Sequence, residues 1–270
     1  MSRVQLTRVD DLTFCGTHFG SSPGDGLLIA RSAVPRPIRR VFTWYIVDKH
    51  VDRQVDRYWE TAMFVQIIRA KTSDPKGVRV LMDRWLAEQA PSARGWLGDT
   101  SGFTEDGELF ALVKFESEEA ARANSDRPEQ GQWWAEMEKL LDGAATFQES
   151  NDVKVDTNGD PTTAGFVQVM TGQVSDPERA QQLMAEQPAP SAVRPDILGS
   201  VTAGHDDGKW TMVVYFTSEQ EARAGERQEV PPEMAKAMAE MQALAVGQPE
   251  FLDLKEPWFD SPAAAGTAGA

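Results

Sequence analysis

The chain contains the same pattern twice, about a hundred residues apart. Residues 64–67 (FVQI) return as 166–169 (FVQV), and residues 115–123 (FESEEAARA) return as 216–224 (FTSEQEARA). The offset between the copies is 102 residues at the start (64 to 166) and 101 in the middle (115 to 216). Because chance similarity would not keep its register over such a span, we predict a duplicated domain.

Composition limits the class of protein and its partners. A length of 270 residues suits two domains, and eight Trp and twelve Phe are enough to build packed cores. The net charge of −15 is uneven: residues 1–62 carry nine basic and seven acidic side chains, so the remainder is strongly acidic. An acidic body repels phosphate backbones and anionic lipids. We therefore predict no nucleic-acid partner and no membrane partner.

Cysteine and histidine are too few for common metal and disulfide chemistry. Cys15 is the only cysteine, and His205 is the only histidine inside the copies. This excludes an intrachain disulfide and a His-rich or Cys-rich metal site there. No apolar run approaches the roughly twenty residues of a membrane span, and the N-terminus lacks a secretory signal. We predict no cofactor, no metal and a cytoplasmic location.

Residues 1–62 match neither copy and show no sustained helical or strand period. Trp59 and Glu60 are encoded by a purine-rich run just before Met63, which resembles a bacterial ribosome-binding site. We predict that translation starts at Met63 and that residues 1–62 are a poorly structured, misassigned extension without a functional role. The alternative is a flexible natural extension.

Each copy predicts the element order β-α-β-β-α-β. Asp74 and Pro75 begin the first helix, Asp106-Gly107 marks a hairpin turn, and Ser117 caps the second helix. The second copy repeats these signals. This order gives an α+β fold with a four-stranded antiparallel sheet and both helices on one face. Because the first strand is apolar on both sides, we expect the two repeats to pack sheet to sheet as a single-chain barrel.

The domain boundaries follow from these signals. We predict a first repeat over 63–156, a polar linker over 157–164, a second repeat over 165–259 and a disordered tail over 260–270.

The duplicated order and the strand-to-helix passages 113–120 and 214–219 carry a resemblance over residues 63–256. The chain resembles the dimeric α/β-barrel superfamily and, within it, the antibiotic-biosynthesis-monooxygenase-like (ABM) group. Members include cofactor-independent monooxygenases of aromatic polyketides, haem-degrading enzymes, isomerases and proteins without known chemistry. The resemblance implies a fused tandem member, in which one chain does the work of the usual dimer. The haem-degrading relatives use a later His ligand that this sequence lacks.

Two matched glutamines are the first candidate ligand-binding residues. Gln66 and Gln168 interrupt apolar first strands at equivalent positions. Facing the barrel interior, they would hydrogen-bond a ligand carbonyl or hydroxyl, because buried amides need partners. The alternative is that they bond each other or nearby backbone.

Aromatic and basic side chains form the second set of candidates. Trp133, Trp134, Arg127 and Trp210 would line a pocket for a flat aromatic ligand, and His205 would act as a base or ligand contact. The alternatives are ordinary packing for the tryptophans, of which at most one would reach the core, and an exposed turn for His205.

The sequence predicts a protein that binds a small aromatic metabolite in an apolar cavity between sheet and helices and acts as a cofactor-independent monooxygenase. Oxygen would react with a deprotonated substrate held away from water. The alternative is a non-catalytic ligand-binding or oligomerisation module, because no catalytic residue is evident. Association of the barrels into a homo-oligomer is left open.

Overall fold

The computed structural model describes residues 59–60, 63–187, 194–228 and 232–262. The predicted N-terminal extension lies outside the described residues except for strand β1 (Trp59–Glu60). The last eight residues of the predicted tail also lie outside them. Asp260, where that tail was expected to begin, instead ends a strand and is buried.

The first sheet has five strands. Their order is β11-β3-β4-β2-β5, and every pairing is antiparallel. The strands are β2 (Phe64–Lys71), β3 (Trp96–Phe103), β4 (Glu108–Phe115), β5 (Thr146–Ser150) and β11 (Trp258–Asp260). Strands β2 to β5 have the pairing order of a ferredoxin-like sheet.

The second sheet has six strands: a core of four strands in the same ferredoxin-like order, and two strands added at one edge. Its order is β1-β6-β8-β9-β7-β10. The strands after β1 are β6 (Val153–Thr157), β7 (Phe166–Gln173), β8 (Ile197–Gly204), β9 (Lys209–Phe216) and β10 (Glu250–Leu254). Two sheets of matching order are consistent with a tandem repeat.

The helices begin where the sequence signals place them. They are α1 (Pro75–Glu88), α2 (Glu118–Ser125), α3 (Pro128–Met137), α4 (Pro177–Ala185), α5 (Glu219–Gly225) and α6 (Pro232–Leu244). Asp74, Ser117, Asp176 and Ser218 each accept a hydrogen bond from a first-turn backbone N–H. These caps satisfy amides that a helix leaves unpaired at its N-terminus.

Each sheet includes strand pairing with the other half of the chain. The sequence predicts one strand over 144–155, but the chain turns at residues 151–152 and divides it into β5 and β6. Strand β6 pairs with β8 of the second sheet, and β11 pairs with β3 of the first. Ser150 stabilises the crossing, because its Oγ donates to Gly204 O at 2.6 Å and accepts from Asp152 N. The two halves are therefore joined by hydrogen-bonded strands as well as by packing.

The two sheets pack face to face over an apolar seam. The buried side chains of the seam are Val65, Ile67, Phe110, Leu112, Val153, Ala164, Val167, Val169, Val201, Ala203, Val213, Tyr215, Leu252 and Leu254. Thr100 Oγ1 and Tyr215 Oη share a hydrogen bond of 2.9 Å across it. Burial of these groups supplies most of the apolar stabilisation between the halves.

Candidate functional site

Two apolar cavities among the described residues lie between a sheet and its helices, one in each repeat. The cavity in the first repeat, called the first cavity, has a volume of about 320 Å³. The cavity in the second repeat, called the second cavity, has a volume of about 360 Å³. The seam between the sheets is filled by its packed side chains. The condition that Gln66 and Gln168 face the barrel interior is therefore not met, because packed side chains fill that interior.

Aromatic side chains surround the first cavity. Its lining includes Trp85 from α1, Trp96 from β3, Trp133 and Trp134 from α3, and Phe147 from β5. Trp85 meets Trp96 edge to face at 5.0 Å between ring centroids. Rigid aromatic walls of this kind suit a flat apolar ligand, because stacking and burial both favour it.

A pair of carboxyl groups lies at the sheet wall of this cavity. Asp99 of β3 and Asp260 of β11 are directly opposite each other in the strand ladder, and both are buried lining residues. Burial raises the pKa of Asp99 to about 7, and the charge of Asp260 adds to the rise. Burial likewise raises the pKa of Asp260, while Arg79 opposes that rise. Two carboxylates so placed cannot both ionise easily, so the pair holds a proton near neutral pH.

One of the residues that line this cavity carries an unpaired donor. Trp96 is 3% exposed and lines the first cavity, and its Nε1 has no hydrogen-bond partner among the described residues. Trp85 differs, because its Nε1 donates to Gln130 Oε1 at 2.7 Å. A buried donor without a partner is costly, which makes Trp96 Nε1 a candidate contact for a ligand oxygen.

The second cavity has a different chemistry at equivalent positions. Ile197 takes the ladder position of Trp96, Ser200 that of Asp99, and Met212 that of Ala111. Its lining contains four methionines, Met170, Met184, Met212 and Met241. Flexible methionines make an adaptable apolar wall. The two cavities therefore differ in their lining and in their acid–base groups.

The two predicted glutamines face the helix side of their sheets. Gln66 lines the first cavity, and its Nε2 donates to Glu149 Oε1 at 3.0 Å. Gln168 is fully buried, and its Nε2 donates to Asp253 Oδ1 at 2.8 Å. The sequence suggested a ligand, the other glutamine or nearby backbone as the partner of each glutamine. The partner in each copy is instead a side-chain carboxylate of the neighbouring edge strand.

An arginine completes the same network in each copy. Arg122 of α2 pairs with Glu149 at 2.6 Å, and Arg223 of α5 pairs with Asp253. The matched Gln, carboxylate and Arg tie a helix to an edge strand in both repeats. This network gives the repeated glutamine a structural role in both copies that needs no ligand. A ligand contact stays a prediction for Gln66, and we do not propose one for Gln168, which lines neither cavity.

The predicted aromatic pocket is divided between the repeats. Trp133 and Trp134 both line the first cavity, whereas Trp210 lines the second. Both rings are half-buried and border the cavity, so neither is a fully buried core residue. Arg127 is outside the lining of both cavities. Its guanidinium donates to Asn124 Oδ1 at 2.7 Å and to Ser92 Oγ, which fixes the break between α2 and α3.

His205 is half-buried, not exposed as its turn sequence indicated. It lies at the edge of the second cavity, with Nε2 at 3.0 Å from Thr211 Oγ1 and Nδ1 at 3.4 Å from Glu149 O. Burial lowers its pKa. His205 therefore favours the neutral form, whose ring nitrogens are shared with these two partners.

The sequence reasoning missed Asp99, Asp260, Trp85 and Trp96. One signal was available: Asp99 interrupts a predicted strand, and aspartate is depleted in strands. Asp260 had no such signal, because it lay in a segment expected to be disordered. It lies opposite Asp99 because β11 pairs with β3 of the first sheet.

Similar solved structures share the fold at low sequence identity. A candidate monooxygenase from Lactobacillus acidophilus NCFM is 11% identical with a TM-score of 0.55, over 74% of this chain and 100% of that chain. One from Fusobacterium nucleatum is 10% identical with a TM-score of 0.60, over 74% and 95%. An anthrone oxidase-like protein is 12% identical with a TM-score of 0.55, over 74% and 94%.

These similarities identify the class of fold. The chain is an α+β protein with two ferredoxin-like sheets packed as a dimeric α/β barrel, which confirms the fold that the sequence resemblance predicted. No protein-family profile matches the chain, and no curated protein matches it. Within the described residues, no helix is both long and apolar enough to cross a bilayer.

Proposed function

We propose that the first cavity binds a flat aromatic metabolite and that the protein is a cofactor-independent monooxygenase acting on it. The observation that carries this proposal is the indole-lined cavity of about 320 Å³ with a carboxyl pair on its sheet wall. Gln66, Trp133 and Trp134 are the predicted ligand contacts that line this cavity. The monooxygenase candidates among the similar structures support the reaction class.

The chemistry needs few protein groups. The bound ligand loses a proton and its electron-rich anion then reduces O₂. One oxygen atom enters the ligand as a carbonyl, and the other leaves as water with the two hydrogens that the ligand gives up. Apolar walls favour this reaction, because they keep water from the reactive anion.

A matched pair of variants tests the location of the ligand. Ala111 is buried in the first cavity, and Met212 takes its place in the second. Ala111→Met fills the first cavity, so we expect 2-naphthol to bind about tenfold more weakly or not at all. Met212→Ala enlarges only the second cavity and serves as the control. Isothermal titration calorimetry measures both.

The reaction is tested separately from binding. We expect oxygen consumption, measured with an oxygen electrode, in the presence of reduced polycyclic phenols or ketones, and its loss in Ala111→Met. Binding without oxygen consumption across such a panel would favour the alternative, a non-catalytic ligand-binding module. Equal weakening of 2-naphthol by both variants would reject the first cavity as the site.

A further inference from the structure

We infer that Asp99, paired with Asp260, is the proton acceptor of the first cavity and takes a proton from the bound aromatic ligand. This inference rests on the proposed function, because it needs a ligand in that cavity. It assigns a catalytic residue and narrows the ligand to one with an acidic hydrogen next to a carbonyl group.

The surroundings of Asp99 make it a suitable base. Its Oδ1 accepts a hydrogen bond of 2.9 Å from Ser101 Oγ, which holds the carboxyl in place. The charged groups that act on it are Asp260 from β11, Lys114 from β4 and Arg79 from α1. Asp83 of α1 acts in turn on Asp260. Because burial and the neighbouring carboxyl outweigh the Ser101 hydrogen bond and the two cations, the pKa of Asp99 reaches about 7. A base works best when its pKa lies near the working pH.

A second feature, independent of the carboxyl pair, indicates what the ligand offers. Trp96 Nε1 is a buried donor without a partner in the described part of the chain. A ligand carbonyl oxygen would satisfy it. When the C–H bond beside that carbonyl breaks, its proton forms an O–H bond with Asp99. The electron pair moves onto the carbonyl oxygen, where the indole N–H stabilises the growing negative charge. The step is a proton transfer and consumes no oxidant.

The second cavity lacks both groups. Ser200 and Ile197 take the ladder positions of Asp99 and Trp96. Its lining includes the half-buried His205, which gives a matched control for acid–base chemistry in the other repeat.

Hydrogen–deuterium exchange measures the proton transfer without oxygen. 1-Tetralone, a flat bicyclic aromatic ketone, is incubated with the protein in D₂O without oxygen, and deuterium at its C2 is followed by NMR. We expect exchange above the buffer rate. Asp99→Asn should reduce the protein-dependent rate about a hundredfold, the scale of general base catalysis. Its affinity for 1-tetralone should stay near that of the unmodified protein. His205→Gln should leave exchange unchanged.

A second variant separates catalysis from a structural role. Asp260→Asn removes the neighbouring negative charge, so the pKa of Asp99 should fall and the pH profile of exchange should move to lower pH. Asp99 acting only in folding would give no such displacement. Bound 1-tetralone without exchange, full exchange in Asp99→Asn, or an unmoved profile in Asp260→Asn would each overturn the inference. Absence of any aromatic binding would instead reject the proposed function, and the inference with it.

Discussion

At the residue scale, Asp99 is the main difference in acid–base chemistry between matching positions of the two sheets. The same ladder position holds Ser200 in the other repeat, where a hydroxyl is easily accommodated inside a protein. A buried carboxyl is costly to ionise and is retained where it is paired or functional. The structure stabilises Asp99 only weakly, through one hydroxyl of Ser101 and more distant cations.

This cost predicts how stability depends on pH. Because the pKa of Asp99 is raised from 3.8 to about 7, the folded state binds its proton more tightly than the unfolded state does. The stabilisation of the folded state by this tighter proton binding is complete below pH 3.8 and is lost as pH rises through about 7. Asparagine does not ionise. The free energy of unfolding of Asp99→Asn minus that of the unmodified protein should therefore be about 2 to 3 kcal/mol larger at pH 8 than at pH 5.

Urea unfolding at the two pH values measures this difference. Asp126→Asn, at an exposed position after α2, is the control and should show little change between them. A difference between Asp99→Asn and the unmodified protein that is the same at both pH values would mean that Asp99 does not titrate in this range.

At the element scale, the glycine of a repeated Leu-Gly pair allows a strand from the other half of the chain to pair at the edge of each sheet. Gly98 and Gly199 each follow a register shift at the start of β3 and β8. A Cβ on Gly98 would lie 2.5 Å from Asp260 O, and one on Gly199 would lie 2.6 Å from Asp156 O. The glycines therefore allow the incoming strands β11 and β6 to approach the sheet edge.

Alanine at these positions should open the sheet edges. Gly98→Ala is expected to be the more damaging, because Gly98 also has a φ of +121°, which disfavours any side chain. We expect a loss of about 2 kcal/mol or more in the free energy of unfolding for Gly98→Ala, and a smaller loss for Gly199→Ala.

Chemical denaturation of the two variants checks this order. Gly131→Ala is the control, because a Cβ there meets nothing within 4 Å and alanine favours the helix. A Gly98→Ala protein as stable as Gly131→Ala would contradict the close approach of β11.

The elements themselves were largely predictable from local signals. Caps such as Asp74 and Ser117 act on the next turn of the chain, so the sequence alone marks the helix starts. The division between β5 and β6 was not predictable in this way. It depends on pairing between β6 and β8, and that partner is some 45 residues away in sequence.

At the scale of the whole molecule, the seam was predictable and the cavities were not. Apolar first strands require a cover on both faces, which indicates sheet-to-sheet packing. Whether space remains depends on side chains from several elements, as with Trp85, Trp96 and Trp134 around the first cavity. The aromatic composition pointed to a flat ligand but gave no means of dividing Trp133 and Trp210 between two sites.

The repeats also make direct polar contacts across the molecule. Arg69 of β2 donates to both carboxylate oxygens of Glu250 in β10, at 2.7 and 2.9 Å. With the exchanged strands, this bidentate pair holds the two halves in one arrangement. The first cavity is therefore completed by the second half of the chain, through Asp260, and would be altered if the halves separated.

The most direct test of this account is a crystal structure of the protein with 6-bromo-2-naphthol, with the bromine located by its anomalous scattering. We predict one strong peak in the first cavity, among Trp85, Trp133 and Trp134 and near the Asp99–Asp260 pair. A peak in the second cavity alone, or in the seam between the sheets, would contradict the assignment of the site.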